Sequence, residues 1–181
     1  KHGRDVVACY TDPINSAFSE EPDMDPLAAV VSLHLLHALR YKLDRVDWLH
    51  HITMIGLLGP IAACCKGGHL LGHGLFYMSG LPGMISYINL LLVRLRVMTP
   101  ARERASNAVL NLWVRGPGLT WHALLSFIAF LETCKSRRIQ GSLVPTSLQP
   151  GIAVVMALGS LWNGQFFLDR IIRSAERLRL A

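Results

Sequence analysis

The sequence predicts an all-α fold, a polytopic bundle of about five transmembrane helices, from three observations. Hydrophobic residues make up 51% of the 181 residues and charged residues only 17%, whereas about a quarter of the residues are charged in ordinary soluble domains. Five apolar stretches follow one another along the chain, each bounded by charged residues, glycine or proline. Lysine and arginine are concentrated between these stretches, as the positive-inside rule describes. We therefore expect an integral membrane protein.

The segment 1–25 is predicted to be a polar, acidic arm outside the helical domain. It holds six of the twelve acidic residues together with Pro13 and Pro22, and it shows no helical periodicity. Such a segment is expected to be extended or loosely packed unless a partner orders it. It lacks the apolar core of a signal peptide. Because the chain begins at Lys1, we expect a processed or truncated product.

The five apolar stretches are predicted to form the helices of a transmembrane domain over residues 26–175, followed by a basic tail over residues 176–181. The first stretch is short for a full span of about 20 residues, and the second is close to that length. The stretches are residues 26–41, 48–65, 69–93, 107–134 and 151–168.

Glycine and proline interrupt two of these stretches. The third contains "GLPG" at residues 80–83, and the fourth contains "RGPG" at residues 115–118. Because proline lacks a backbone N–H and its ring crowds the preceding turn, we expect the third and fourth helices to be kinked or broken there. The released backbone groups need partners inside hydrocarbon, so such breaks either line a cavity or serve packing.

The distribution of positive charge predicts how the chain threads the membrane. If each of the five stretches crosses once, eleven lysines and arginines lie on one side and six on the other. This bias favours five crossings with the C-terminus on the positive side, which is cytoplasm-like or matrix-like. The expected location is the endoplasmic reticulum or an organellar membrane, plastid or mitochondrial. The net charge of +6 does not indicate nucleic-acid binding, because no nucleic-acid motif accompanies it.

Seven of the eight histidines lie in or beside the apolar stretches. Ionisable residues inside spans are costly and usually face the bundle interior or a watery cavity. His34 and His37 are three residues apart in the sequence, and His69 and His73 are four apart, so each pair shares a helix face. The candidate ligand-binding residues are Asp47, His50, His51, His69, His73 and Arg115.

Four interpretations of the histidines stay open. In the first, His50 and His51 belong to a lipid-handling site, and Asp47, one turn earlier, orients an imidazole as a general base. In the second, the runs H-x-x-H, D-x-x-H-H and H-x-x-x-H form a metal cluster like the histidine boxes of membrane di-iron oxygenases. In the third, single histidines are axial ligands of haem or chlorophyll. In the fourth, the histidines only form hydrogen bonds between helices.

Arg115 is the one arginine placed well inside an apolar stretch. Its planar guanidinium suits a lipid phosphate or a carboxylate. The alternative is a position at the membrane interface with the aliphatic stem buried.

Three segments, taken in order, resemble the TLC family of polytopic membrane proteins, which includes the ceramide synthases. They are "HALRYKLDRVDWLHHITMIGLLG", "GLFYMSGLPGMISYINLLLVRL" and the closing "LWNGQFFLDRII". The resemblance covers residues 26–175. Within it, His50, His51 and Thr53 are similar to the H-H-x-x-T region of the family, with the threonine one position early.

The resemblance implies a helical membrane bundle with a lipid-accessible central cavity. In acyl-transferring members of the family, the paired histidines and downstream aspartates belong to the active site. This chain has no aspartate or glutamate between Asp47 and Glu103, so the resemblance implies a relative that is not catalytic.

We therefore expect a TLC-like membrane protein that binds or handles lipid without established catalysis. The first alternative is an accessory or structural subunit of a large organellar membrane complex, which ligates chlorophyll or haem through intramembrane histidines. The second is a lipid-modifying enzyme, an acyltransferase or a di-iron oxygenase. The expected partners are membrane lipids and other membrane-protein subunits, and the cofactor candidates are a bound lipid, chlorophyll or haem.

Overall fold

The computed structural model describes residues 2–19 and 22–179, and within these residues the chain is helical and has no β-strand. The all-α fold class is therefore confirmed. Lys1, Glu20 and Glu21 of the predicted arm, and residues 180 and 181 of the predicted tail, lie outside the described residues. The described helices are α1 (His2–Thr11), α2 (Asp25–Arg40), α3 (Arg45–Cys65), α4 (Gly68–Arg94), α5 (residues 100–134) and α6 (Gln149–Arg179).

The five apolar stretches of the sequence coincide with α2 to α6, and α1 is an additional helix. By length and composition, three of the described helices are long and apolar enough to cross a membrane: α3, α4 and α6. The 21 residues of α3 extend for about 31 Å at 1.5 Å per residue, which matches a hydrocarbon core of about 30 Å. The 16 residues of α2 are fewer than a full span needs.

Local sequence signals set where these helices begin. The carboxylate of Asp44 accepts the backbone N–H groups of Val46 and Asp47 at 2.8 Å, and the backbone N–H of Asp44 donates to the carboxylate of Asp47 at 3.4 Å. This capping box supplies acceptors for N–H groups that the first turn of α3 leaves without partners. At the start of α5, the Thr99 hydroxyl accepts the backbone N–H of Arg102, and Pro100 lies in the first turn.

The helices α3, α4 and α5 each contain a π-helical segment that ends shortly before a proline. The segments are His51–Leu58 in α3, Phe76–Gly80 in α4 and Asn111–Arg115 in α5. In each case the next backbone N–H donates to the carbonyl five residues earlier, as from Gly59 to Met54. The widened turn accommodates the proline that follows, so α4 and α5 continue through their Gly-Pro motifs and are not broken into half-helices.

Glycines let the helices approach closely. A Cβ atom at Gly118 on α5 would lie 2.1 Å from the ring of Tyr77 on α4, and one at Gly159 on α6 would lie 2.6 Å from Leu58 on α3. Between α5 and α6, Gly164 faces Leu119, which is fully buried. Small residues at such contacts are typical of helix packing in membranes, where close van der Waals contact replaces the hydrophobic effect.

The N-terminal segment differs from the extended or loosely packed arm that the sequence predicts. Residues His2–Thr11 form α1, which packs on the first half of α4. Asp5 on α1 lies 2.8 Å from His69 Nδ1 on α4, and the hydroxyls of Tyr10 and Tyr77 are 3.3 Å apart. Cys9 is fully buried, and burial raises the pKa of its thiol to about 12. Contacts with α4 therefore order this segment within the chain itself.

We expect Gly118→Ala to destabilise the fold, because the added methyl group would overlap the ring of Tyr77. Overpacking of this kind costs roughly 1–3 kcal/mol. Gly83→Ala on α4 is the matched control, since a Cβ there meets nothing within 4 Å and alanine favours the helix. Thermal unfolding of both variants in detergent would show a lower midpoint for Gly118→Ala alone. Equal midpoints would contradict the close α4–α5 contact.

Candidate functional site

An apolar cavity lies between the helices. The centre of a water-sized molecule can occupy about 100 Å³ of it, several times the roughly 10–15 Å³ that one buried water needs. All five helices from α2 to α6 contribute to its wall, and only Lys66, His122, Ser126 and Ser160 bring polar side chains. The apolar wall includes Leu27, Val30, Met54, Leu58, Ala62, Leu70, Leu71, Leu75, Met78, Ala129, Ile139, Ile152, Ala153 and Met156.

Four histidines from two helices meet near one end of this cavity. The ring centroid of His51 on α3 lies 5.3 Å from that of His34 and 5.5 Å from that of His37, both on α2. The ring of His50 lies 5.6 Å from His51 and 5.7 Å from His34. Because α2 and α3 are joined by only a few residues and run antiparallel, the H-x-x-H face of α2 comes to lie against the H-H pair of α3. We call these four residues, together with Arg115 and Asn163, the polar cluster.

Backbone carbonyls fix the tautomers of two of these rings. His34 Nδ1 lies 2.8 Å from the carbonyl oxygen of Val30, and His51 Nδ1 lies 2.7 Å from that of Asp47. Since a carbonyl can only accept, Nδ1 carries the proton in both rings, and the neutral ring presents Nε2 as an acceptor. His51 is 9% exposed, and its Nε2 has no hydrogen-bond partner among the described residues.

The carboxylate of Asp47 does not orient either member of the histidine pair. It caps α3 and lies 3.6 Å from the guanidinium of Arg170 on α6, which also binds Asp44 at 3.0 Å. Asp47 acts on His51 through its backbone carbonyl instead. The arrangement therefore lacks the carboxylate–imidazole contact that a general base would use.

Arg115 joins the polar cluster from the π-helical segment of α5. Its Cζ lies 5.8 Å from the ring centroid of Phe167, and that ring also lies 4.8 Å from the ring of His50. The Nε of Arg115 is buried without a hydrogen-bond partner, and no ion pair joins its guanidinium to an acid within the described residues. A cation over an aromatic face is stabilised, but this contact does not use its N–H groups.

Asn163 completes the polar cluster from α6, and sequence reasoning missed it. Its side chain is fully buried and interacts with His50, but neither amide atom makes a hydrogen bond of normal geometry in the described part of the chain. The signal was present, because Asn163 is a polar amide inside the apolar stretch 151–168, and polar residues inside spans usually mark functional or interhelical contacts.

The polar cluster lies one helical turn beyond the end of the cavity. Three wall residues, Val30, Met54 and Ser160, precede or follow His34, His51 and Asn163 by three or four positions on the same helices. Residues with this spacing share a helix face. The polar cluster therefore lies next to one end of the cavity along α2, α3 and α6, although none of its six residues belongs to the cavity wall.

The predicted pair His69 and His73 separates into two environments. His69 contacts Asp5 of α1, whereas His73 is fully buried and stacks on His122 of α5 with ring centroids 5.6 Å apart. Both ring nitrogens of His73 lack hydrogen-bond partners among the described residues. His122 lines the cavity, so this second histidine group contacts the cavity wall away from the polar cluster.

The metal interpretation gains no geometric support. Within residues 2–19 and 22–179, no three side chains of histidine, cysteine, aspartate or glutamate converge in a way that could hold a metal ion. The histidine runs thus do not assemble as the boxes of a di-iron enzyme would require. Comparisons with protein-family models, curated proteins and solved structures gave no match.

Proposed function

We propose that this is an integral membrane protein, TLC-like, that binds a lipid in the cavity between its helices without established catalysis. The observation that carries the proposal is the cavity itself, which five helices enclose with an almost wholly apolar wall. An apolar wall of this kind suits an alkyl chain, since each methylene group transferred from water contributes about 0.8 kcal/mol. The polar cluster at the end then receives the head group.

Two features support binding over catalysis. The carboxylate of Asp47 is engaged with Arg170 and the start of α3, so no acidic group of the described residues orients the histidine pair. The next helix, α4, contains no aspartate or glutamate at all. An acyltransferase of the TLC type would need carboxylates on that helix, as the family resemblance implies.

We also propose that the five helices α2 to α6 each cross the membrane. The contact between Arg170 on α6 and Asp44 before α3 joins the C-terminal half of α6 to the α2–α3 connection. At the opposite end, the backbone N–H of Leu143 donates to the carbonyl of Cys64 at 2.9 Å, which joins the α5–α6 connection to the end of α3. This alternation supports antiparallel crossings with the basic ends together.

Obstructing the cavity should displace the lipid. Ala129, which is 3% exposed and lines the cavity from α5, is replaced by phenylalanine. Excluding about two methylene groups of the chain costs about 1.6 kcal/mol, which is roughly tenfold in affinity. Native mass spectrometry after gentle extraction would show the loss of copurified lipid.

The matched control is Leu131→Phe, an exposed position on the same helix. Ala153→Leu obstructs the cavity from α6 with a smaller side chain, in case Ala129→Phe fails to fold. Full lipid occupancy in the folded cavity variants would refute the proposal. A stoichiometric partner chain or a tetrapyrrole absorption band in the wild-type sample would instead favour the accessory subunit.

The proposed crossings can be tested with the native cysteines. Cys64 and Cys134 are exposed at the ends of α3 and α5, whereas Cys9 and Cys65 are buried. We expect a membrane-impermeant maleimide to label Cys64 and Cys134 from one side of sealed vesicles, and Arg177→Cys from the other side. Cys9 should stay unlabelled at pH 7, because its side chain is fully buried and burial also raises the pKa of its thiol. Labelling of all three sites from the same side would rule out this topology.

A further inference from the structure

The polar cluster contains a half-buried arginine that has no counter-ion among the described residues. Arg115 has a buried Nε without a hydrogen-bond partner and makes no ion pair within the described residues. The acids at this end of the bundle have other partners: Asp44 and Asp47 pair with Arg170, Asp169 pairs with Arg173, and Glu103 accepts a hydrogen bond from Asn107. A charge left uncompensated in an apolar interior is costly, so the site as it stands favours an anion.

The neighbours of Arg115 offer further hydrogen-bonding atoms. Asn163 is fully buried beside His50 and the two side chains interact, but neither the Asn163 amide nor His50 Nδ1 makes a hydrogen bond of normal geometry within the described residues. The amide can donate through Nδ2, and the His50 ring can take the tautomer that donates through Nδ1. Because His51 Nδ1 lies against the carbonyl of Asp47, its Nε2 can accept from a hydroxyl or a protonated oxygen on the same ligand group.

We propose that Arg115, Asn163 and His50 bind the anionic head of a lipid, a carboxylate or a phosphate, whose alkyl chain lies in the cavity. This inference rests on the proposed function and adds the chemical class of the head group. A guanidinium pairs with either anion through two parallel N–H groups. A neutral head would leave the charge of Arg115 uncompensated, and a head with a choline or ammonium cation would meet positive charge.

Arg115, Asn163 and His50 lie toward one end of the cavity, where the head group of such a lipid would bind. Asn163 lies one turn beyond the wall residue Ser160 on α6, and Arg115 lies two turns before the wall residue His122 on α5. Because α5 and α6 run antiparallel, both residues lie toward the same end of the cavity. The head and the chain of one lipid would therefore occupy adjacent parts of the bundle.

The test measures the binding of three C18 probes to the full chain in nanodiscs of phosphatidylcholine. Oleate carries a carboxylate, oleoyl lysophosphatidate carries a phosphate, and oleyl alcohol is a neutral match with the same chain. At least one anionic probe should bind tenfold or more tightly than the alcohol, and the tighter of the two identifies the head. Equal affinity of the alcohol and both anions would overturn the assignment.

Substitutions then locate the effect. Arg115→Gln should weaken the affinity for the tighter-binding anion by roughly 10- to 100-fold, as expected for a hydrogen bond to a charged group. The affinity for oleyl alcohol should not change. Arg115→Lys should bind the anion more tightly than Arg115→Gln does, and Asn163→Leu should bind it several-fold more weakly than wild type. The control Arg177→Gln, an exposed arginine at the same end, should have no effect. An Arg115→Gln variant that is folded and binds the anion as wild type does would refute the proposal.

The two proposals fail in different ways. If oleyl alcohol binds, Ala129→Phe blocks it and Arg115→Gln leaves anion binding unchanged, the cavity holds a lipid but the head assignment is wrong. If none of the three probes binds and Ala129→Phe changes nothing, the lipid-binding function itself is wrong.

Discussion

The rest of the structure depends on the burial of polar side chains among apolar helices. In the proposed membrane orientation, Arg115 and the histidines cannot face lipid without a large cost in solvation, so the helices that carry them turn them toward one another. Four helices, α2, α3, α5 and α6, bring such side chains to one point. That convergence places the apolar faces of the same helices around the cavity, one turn away. The same packing of α2, α3, α5 and α6 thus produces both the polar cluster and the cavity.

Glycine and proline make this arrangement possible without exposing backbone groups. The π-helical segments of α3, α4 and α5 each precede a proline and shift the hydrogen-bond register by one residue. Inside hydrocarbon, the backbone carbonyls of a helix need hydrogen-bond donors. In the π-helical turn, a carbonyl accepts from the N–H group five residues later. In α3 and α5 the segment also carries a residue of the polar cluster, His51 and Arg115 respectively. The accommodation of proline and the placement of these side chains are therefore linked.

The sequence predicted the fold class and the positions of five of the six helices, because apolar run length and bounding charge are local properties. It did not predict α1, because that segment is polar and its order comes from contacts with α4, such as Asp5 with His69. The histidine pair and Arg115 were found from their rarity in apolar stretches. Their meeting with Asn163 depends on how α6 packs, which no local pattern encodes.

His122 shows why residue type alone does not define the site. Its ring lines the cavity and stacks on His73, where Gly74 leaves room for it. Among residues 2–19 and 22–179, no arginine lies beside it as Arg115 lies beside His50, so it lacks the positive charge that would select an anion. In the proposed complex, His122 contacts the alkyl chain and His50 contacts the head. The difference between two buried histidines then comes from the charge beside them, because position along the cavity decides which part of a lipid each one meets.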